Sequence, residues 1–223
     1  MDLTYDIIAL GIFVICILIY SIMIIYGLRH PTTSRKGSLN LIYEYYVDER
    51  VKESPLIAVQ AIRNIIMANT AFISSLLVLL GLLLAFYQLI FSVEMIPGSD
   101  ISLGFIQMVV MVIIIVFCLF NFVLAIRMLV RFTLLISANP EKIEFCGMTG
   151  LQFTKDTMIS AQNHWSFGLR GLFYLITVLA WLAHPILFLI GAIGVTTYLI
   201  FFEDIYDSHL TENTCEDENL HAE

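Results

Sequence analysis

The basic residues of this chain are distributed very unevenly. All eleven Lys and Arg residues lie in two stretches, and these stretches alternate with four long apolar runs. Each run has at least the roughly 20 residues that an α-helix needs to cross about 30 Å of hydrocarbon. The sequence therefore predicts an all-α membrane protein with four transmembrane helices, at about residues 7–28, 66–91, 105–126 and 169–202.

The same distribution predicts the orientation of these helices. The connections after the first and third runs hold every Lys and Arg residue, whereas the N-terminus, the second connection and the C-terminal tail hold none. Connections rich in Lys and Arg stay in the cytoplasm. We therefore expect both basic connections inside and both termini outside, with the plasma membrane as the location.

The acidic residues are concentrated at the C-terminal end. The net charge is −8, and eight acidic residues follow Phe202 without any Lys or Arg among them. We expect residues 1–206 to form one transmembrane domain and residues 207–223 to be a disordered tail. A nucleic-acid partner is not expected, since no basic field exists outside the connections that flank the membrane.

The connections carry their own local signals. Residues Ser38–Val51 have apolar side chains at helical spacing, which predicts a short amphipathic helix in the first cytoplasmic connection. Its polar face is not rich in lysine, so packing on the protein itself is favoured over lipid binding. Ser54 and Pro55 predict a helix that runs unbroken into the second span, and Asp156 is a candidate cap for the last helix.

Two motifs resemble those of a known family. Residues 59–70 read VQAIRNIIMANT, and residues 163–174 read NHWSFGLRGLFY, followed by AWLAHP at 180–185. Together with Asn121, Arg127 and Arg131 they are similar in order and spacing to the integral membrane family known as domain of unknown function 599. The resemblance covers nearly the whole chain apart from the tail. It implies four membrane spans and no established activity.

Polar residues near the ends of the spans are the candidate ligand-binding residues. With both basic connections in the cytoplasm, they are expected at similar depth in one cluster, in which no carboxylate of the spans neutralises the arginines. One interpretation is that the arginines reach lipid phosphates and the amides bond between helices. The other is a pocket for an anionic headgroup, nucleotide or carboxylate. The cluster consists of Arg63, Asn64, Asn121, Arg127, Arg131, His164 and Arg170.

A second polar feature lies midway along the last apolar run. Pro185 removes a backbone hydrogen bond, so we expect a kink in the helix near Trp181, with His184 pointing into the bundle. A structural role, a proton or ion role and a metal role for His184 all remain open. Haem is disfavoured, because His164 and His184 would lie about 30 Å apart on one helix. No cofactor or metal is expected, and the four scattered cysteines indicate no metal site.

The sequence contains no nucleophile–base pair, phosphate-binding loop or metalloprotease motif. An enzymatic activity is therefore disfavoured, although an intramembrane enzyme stays open as a third hypothesis. The preferred hypothesis is a non-enzymatic membrane protein that forms a homo-oligomer or joins other membrane subunits, and that binds an anionic lipid or ligand at its cytoplasmic end. A small oligomeric transporter or channel is the alternative, since four spans seldom enclose a pathway alone.

Overall fold

The computed structural model describes residues 3–29, 35–53, 55–85, 87, 102–138, 140, 144–145 and 147–201. The predicted tail at residues 207–223 lies outside the described residues, as does most of the second connection. The described part is almost entirely helical. Its elements are α1 (Leu3–Arg29), α2 (Arg35–Glu53), α3 (Pro55–Ala85), α4 (Leu103–Ser137), the antiparallel strands β1 (Glu144–Phe145) and β2 (Met148–Thr149), α5 (Gly150–Trp181) and α6 (Pro185–Tyr198).

Three of the described helices are long and apolar enough to cross a membrane. They comprise Tyr5–Ile24 in α1, Leu56–Ala85 in α3 and Leu103–Ser137 in α4. Each reaches the roughly 20 residues that a crossing requires. Helix α3 is continuous from its first residue, Pro55, as the Ser54–Pro55 start signal predicted. Such a set of helices is typical of an integral membrane protein.

The last apolar run forms a helical hairpin, and the prediction of one kinked span is wrong. Helix α5 ends at Trp181, and α6 starts at Pro185 after an extended His184 (φ −165°, ψ 136°). The Trp181 and Phe188 rings stack with centroids 4.6 Å apart, and the Tyr174 and Thr196 hydroxyl oxygens are 3.2 Å apart. A continuous helix would separate Tyr174 from Thr196 by about 33 Å. Helix α6 therefore runs back along α5.

Helix α1 packs in the groove of this hairpin. Near its N-terminal end, the Asp6 carboxylate accepts a hydrogen bond from Trp181 Nε1 at 2.7 Å. Further along, the Phe13 ring contacts the rings of Tyr174 and Phe188, at 5.8 and 5.0 Å between centroids. Helix α1 is therefore antiparallel to α5, and its first turns lie at the end of the bundle where the hairpin turns. We call this the turn end.

Helices α4 and α5 form the most extensive contact of the fold. They approach closely at two glycines of α5. A Cβ atom added to Gly168 would lie 2.6 Å from the Phe122 ring, and one added to Gly171 would lie 2.5 Å from Cys118 Sγ. These contacts fix the register of the antiparallel pair. Helix α3 packs on α4 through Phe72, whose ring stacks on Phe122.

The buried apolar residues form two separate cores along the helix axes. The upper core reaches the turn end and consists of Ala9, Phe13, Tyr20, Leu76, Leu83, Leu103, Met111, Ile115, Cys118, Phe122, Tyr174, Leu175, Val178, Trp181, Phe188, Ala192 and Leu199. The lower core lies at the opposite end, the connection end, and consists of Val47, Ala58, Ile62, Leu129, Phe132, Ile136, Met158 and Ala161. Extensions of α3, α4 and α5 beyond the upper core, together with α2, build the lower core.

The predicted short helix in the first connection is present as α2. Its Val47 is fully buried in the lower core, and Asp48 accepts a hydrogen bond from Lys155 Nζ at 2.7 Å. This contact agrees with the expectation that the helix packs on its own protein. Leu41 and Tyr45, on another side of α2, are exposed.

The start of α5 differs from the sequence prediction. The β1–β2 turn contains Gly147 with φ 87°, a conformation that glycine adopts without steric cost. Thr149 then caps α5 by accepting a hydrogen bond from the Gln152 backbone N–H. Asp156 therefore lies inside the helix, where it accepts from Gln152 Nε2, and the prediction that it caps the helix is wrong.

Candidate functional site

A buried arginine in α5 is the centre of the candidate site. Arg170 is only 5% exposed. Its guanidinium carbon lies 5.5 Å from the centroid of the Phe167 ring and 5.9 Å from that of the Tyr20 ring. Rings at this distance attract a cation through their quadrupole. This attraction partly offsets the hydration that the guanidinium loses on burial. The aromatic contacts hold a positive charge in an otherwise apolar part of the bundle.

Arg170 lines a cavity of about 340 Å³ between α1, α4 and α5. Arg170 is the one charged residue in its lining, and most of the wall is aliphatic or aromatic. Two wall residues of α4, Ile113 and Phe117, are 62% and 48% exposed, so the cavity borders the outer surface of the bundle. The full lining is Ile17, Tyr20, Ser21, Ile24, Ile113, Ile114, Phe117, Phe167, Arg170, Gly171 and Tyr174.

The other arginines of the predicted cluster lie at a different depth. Gly168 is opposite Phe122 in the antiparallel α4–α5 pair. Arg170 lies two residues from Gly168 toward the turn end, and Arg127 lies five residues from Phe122 in the other direction. At a rise of about 1.5 Å per residue, roughly 10 Å separate the two arginines along the bundle. The expectation of equal depth is therefore wrong.

Arg63, Arg127 and Arg131 are exposed and do not line the cavity with Arg170. Their position on the outside of the bundle fits the interpretation in which arginines reach toward lipid phosphates. Asn64 is also exposed, on the outer face of α3. The structure thus divides the predicted cluster into an exposed group and a buried one, because Arg63, Arg127 and Arg131 lie on outward faces of α3 and α4, whereas Arg170 lies on the inward face of α5.

Asn121 and His164 are brought together by the α4–α5 contact. Asn121 Nδ2 donates to the Phe117 carbonyl at 2.9 Å, so its Oδ1 faces His164 Nδ1 at 3.2 Å. An amide oxygen can only accept, so Nδ1 carries the proton in the neutral ring. Burial lowers the pKa of His164 from its ordinary value of 6.5. The neutral form is favoured.

Asn69 of α3 completes a polar layer between the two cores. It is fully buried, and neither its amide nitrogen nor its oxygen has a hydrogen-bond partner within the described residues. It lies one turn from Phe72, whose ring contacts Phe122 and Trp165, the chain neighbours of Asn121 and His164. We call Asn69, Asn121 and His164 the polar layer. Asn69 was not among the candidate binding residues predicted from the sequence, because an amide in an apolar helix gives no sign of the direction in which it points.

The predicted arrangement at His184 and Pro185 is only partly right. Trp181 and Pro185 are buried, whereas His184 is exposed, so the expectation of an inward imidazole is wrong. His184 Nδ1 instead accepts a hydrogen bond from the Ile186 backbone N–H at 3.2 Å and caps α6. The cap satisfies a helix-start N–H that would otherwise have no partner.

The inward polar group at the turn end is Asp6, which the sequence did not indicate. Asp6 is 2% exposed, and its Oδ1 accepts from Trp181. The register of α1 could have revealed it, since Asp6, Phe13 and Tyr20 recur every seven residues and all three are buried. Within the described residues, no group of three or more His, Cys, Asp or Glu side chains could hold a metal ion.

Comparison with known families agrees with the motifs that surround this site. The family model described as "Protein of unknown function, DUF599" matches residues 8–207. The chain belongs to this family. The match includes every helix that contributes to the cavity and to the polar layer, and its description assigns no activity. No curated protein and no solved structure matched the chain.

Proposed function

We propose that this member of DUF599 is a non-enzymatic integral membrane protein that binds an anionic lipid in the cavity between α1, α4 and α5. The observation that carries the proposal is the buried Arg170 in the wall of an apolar cavity at the surface of the bundle. A charged side chain within the hydrocarbon is costly, and such residues commonly mark a ligand or ion site. An arginine fork suits a phosphate or carboxylate headgroup.

The cavity wall suggests how such a lipid would be oriented. Ile113 and Ile17 lie on the side of Arg170 that faces the turn end, and they offer aliphatic surface for an acyl chain. Tyr20 and Ser21 also line the cavity, and their hydroxyl oxygens can accept hydrogen bonds from a headgroup. With the connection end in the cytoplasm, this orientation matches a lipid of the inner leaflet, with its chains directed toward the membrane centre.

The proposed membrane topology differs from that expected of four simple spans. The basic connections support a cytoplasmic connection end and an external N-terminus. The return of α6 along α5 supports a fifth crossing, because the apolar helix Pro185–Phe201 leads from the turn end back toward the connection end. We therefore propose an external N-terminus and a cytoplasmic C-terminus, in the plasma membrane.

We propose that the protein forms a homo-oligomer and that the outer face of α3 is the contact between copies. This helix is the least buried of the three long apolar helices. Its exposed face carries small residues at a spacing of four, three and four, namely Asn64, Ala68, Ala71 and Ser75. Small residues allow helices to approach closely in a membrane. Chemical cross-linking of Ala71→Cys across copies would test this contact, with Leu84→Cys near the end of α3 as a matched exposed position.

A transporter is the second candidate, and one observation favours it. Helix α5 carries buried polar side chains at helical spacing through the upper core, namely Arg170, Tyr174, Thr177 and Trp181. Their partners include Thr196 of α6 and Asp6 of α1. A row of this kind can serve a proton or ion path. Ion flux in proteoliposomes that is lost in Arg170→Gln and Thr177→Val would favour this function over lipid binding.

Native mass spectrometry with defined lipids tests the lipid-binding proposal directly. The protein is delipidated and titrated with an anionic lipid such as phosphatidylglycerol, and with phosphatidylcholine at equal concentration. We expect selective binding of the anionic lipid and a weakening of about tenfold or more in Arg170→Gln, because a charge-assisted contact is lost. Arg131→Gln is the matched control at an exposed arginine outside the cavity, and it should weaken binding of the anionic lipid much less than Arg170→Gln does.

A second variant separates lipid binding from folding. In Ile114→Trp, the larger side chain extends from the wall into the cavity while Arg170 stays in place. This variant should therefore also weaken anionic-lipid binding. Thermal unfolding in detergent checks that both variants retain their fold. Equal binding of the anionic lipid by the unmodified protein, Arg170→Gln and Ile114→Trp would contradict the proposal.

A further inference from the structure

The turn end holds a second buried ionisable group, remote from the lipid cavity. Asp6 lies eleven residues from Ile17, the nearest α1 residue of the cavity wall, and is almost completely buried. Its Oδ1 accepts one hydrogen bond, from Trp181 Nε1 at 2.7 Å. Its Oδ2 is inaccessible and has no hydrogen-bond partner within the described residues. Half of the carboxylate is thus unsatisfied by the part of the chain that the structure describes.

The residues around Asp6 offer no compensating charge. The hydrogen-bond donor Trp181 and the Phe188 ring that stacks on it are both neutral. Tyr5, which precedes Asp6 in α1, and His184, which follows Trp181 by three residues and caps α6, are titratable, and both are exposed. No Lys or Arg in the described ranges forms an ion pair with Asp6, and the first basic residue of α1 is Arg29.

The free energies involved indicate that the carboxylate needs a partner. Burying an uncompensated carboxylate is costly, because the charge loses its hydration. The hydrogen bond from Trp181 satisfies only Oδ1. The position of Asp6 in the first turns of α1 adds a further favourable contribution through the helix macrodipole, but it leaves Oδ2 without a partner within the described residues. A positive ion on Oδ2 removes the remaining penalty, because it neutralises the charge and occupies the unused lone pairs.

We propose that the Asp6 carboxylate is a binding site for a monovalent cation, the proton included, at the turn end of the bundle. The absence of a three-ligand acidic or histidine group in the described residues disfavours a divalent ion, which would require several charged oxygen ligands. Occupancy of the site controls how the first turns of α1 pack against the hairpin, since Asp6 joins α1 to Trp181.

Trp181 provides a spectroscopic signal at the proposed site. The chain has two tryptophans, so Trp165→Phe leaves Trp181 as the only indole. Its fluorescence is recorded on the full-length protein in nanodiscs while the pH is varied from about 4 to about 9, with choline as the only other cation. We expect a sigmoidal change with pH that disappears in Asp6→Asn, which keeps an oxygen acceptor for Trp181 but cannot bind a proton.

A sodium titration distinguishes the two kinds of cation. If sodium shares the site, it competes with the proton, and replacing choline by sodium moves the midpoint of the fluorescence transition to lower pH. Once sodium exceeds its dissociation constant, each tenfold rise in its concentration should move the midpoint by about one pH unit. If the proton alone binds, the midpoint does not move, and the proposal holds for the proton. His184→Gln should leave the transition in place, which excludes the neighbouring imidazole as its source.

Three results would overturn this inference: a flat response in the Trp165→Phe protein, a transition that persists in Asp6→Asn, and a transition that disappears in His184→Gln. Thermal unfolding of Asp6→Asn verifies that the variant is folded, and Asp6→Ser serves as a second variant that removes the carboxylate. Lipid binding at the distant cavity should stay unchanged in both Asp6 variants.

Discussion

Individual glycines determine how closely α4 and α5 pack. The Phe122 ring that faces Gly168 is itself fully buried and stacked on Phe72, so it has little freedom to move. We expect Gly168→Ala to lower the free energy of unfolding by about 1–3 kcal/mol, because the added Cβ overpacks this contact. Gly81→Ala is the matched control, since nothing lies within 4 Å of a Cβ added there.

The control should be neutral or slightly stabilising, because alanine has a higher helix propensity than glycine by about 0.8–1 kcal/mol. Thermal or denaturant unfolding in one detergent compares the two variants. A loss in Gly81→Ala as large as that in Gly168→Ala would show that the close α4–α5 approach is not the cause.

At the connection-end side of the upper core, His164 makes stability depend on pH. Burial lowers its pKa below the ordinary 6.5, so the unfolded chain takes up a proton more readily than the folded protein. The free energy of unfolding is therefore unaffected by His164 above that value, and it decreases as the pH falls through and below it. We expect the Tm to decrease more between about pH 7.5 and about pH 5.5 in the unmodified protein than in His164→Gln.

The glutamine keeps a hydrogen-bond donor for Asn121 but cannot titrate in this range. The measurement is a thermal melt of both proteins at each pH in the same buffer series. Identical losses of Tm would mean that protonation of His164 does not contribute to acid destabilisation.

At the scale of the elements, one ion pair attaches α2 to α5. Lys155 and Asp48 are 2.7 Å apart, with side chains 15% and 33% exposed. We expect Asp48→Asn to lower the free energy of unfolding by about 1 kcal/mol, because a partly buried charged hydrogen bond is weakened. Glu49→Gln is the matched control on the same helix, where the pair with Lys52 is longer (3.5 Å) and more exposed.

The control should change stability by less than about 0.5 kcal/mol. Chemical denaturation of the two variants provides the comparison. If Asp48→Asn were as mild as Glu49→Gln, the ion pair would not be what holds α2 on the lower core.

Elements that depend on local sequence signals could be predicted from the sequence alone. Apolar length predicted the three long helices α1, α3 and α4, which include the described parts of the first three runs, and Ser54–Pro55 predicted where α3 starts. The reversal after Trp181 was not predictable in the same way. Pro185 is compatible both with a kink and with the first position of a new helix, and only the packing of α6 on α5 and α1 decides between them.

The candidate site was predictable only in its residue types. Arg170, Asn121 and His164 were recognised as polar residues in an apolar setting, and the last two do contact each other. The depth of Arg170 was not predictable, because it depends on the α4–α5 register that Gly168 and Gly171 allow. The burial of Asp6 was missed because a short polar start to a chain resembles a segment in water.

At the scale of the whole molecule, two apolar cores are separated by a polar layer. The upper core borders the Arg170 cavity and extends to Asp6 at the turn end, whereas the lower core joins α2 to extensions of the long helices. The exposed arginines Arg63, Arg127 and Arg131 lie near the level of the lower core. In the proposed topology, the membrane boundary lies close to the polar layer and the lower core is on the cytoplasmic side.

The reversal at the turn end has the largest consequence for the whole molecule, because it determines on which side of the membrane the chain ends. Cys146 follows α4 in the second basic connection, and Cys215 lies in the acidic tail. A membrane-impermeant maleimide applied to right-side-out vesicles compares them in single-cysteine proteins, with Ser99→Cys in the connection between α3 and α4 as the external control. We predict that Ser99→Cys is labelled and that Cys146 and Cys215 are both protected until the membrane is permeabilised. Labelling of Cys215 from outside, while Cys146 stays protected, would contradict the hairpin topology.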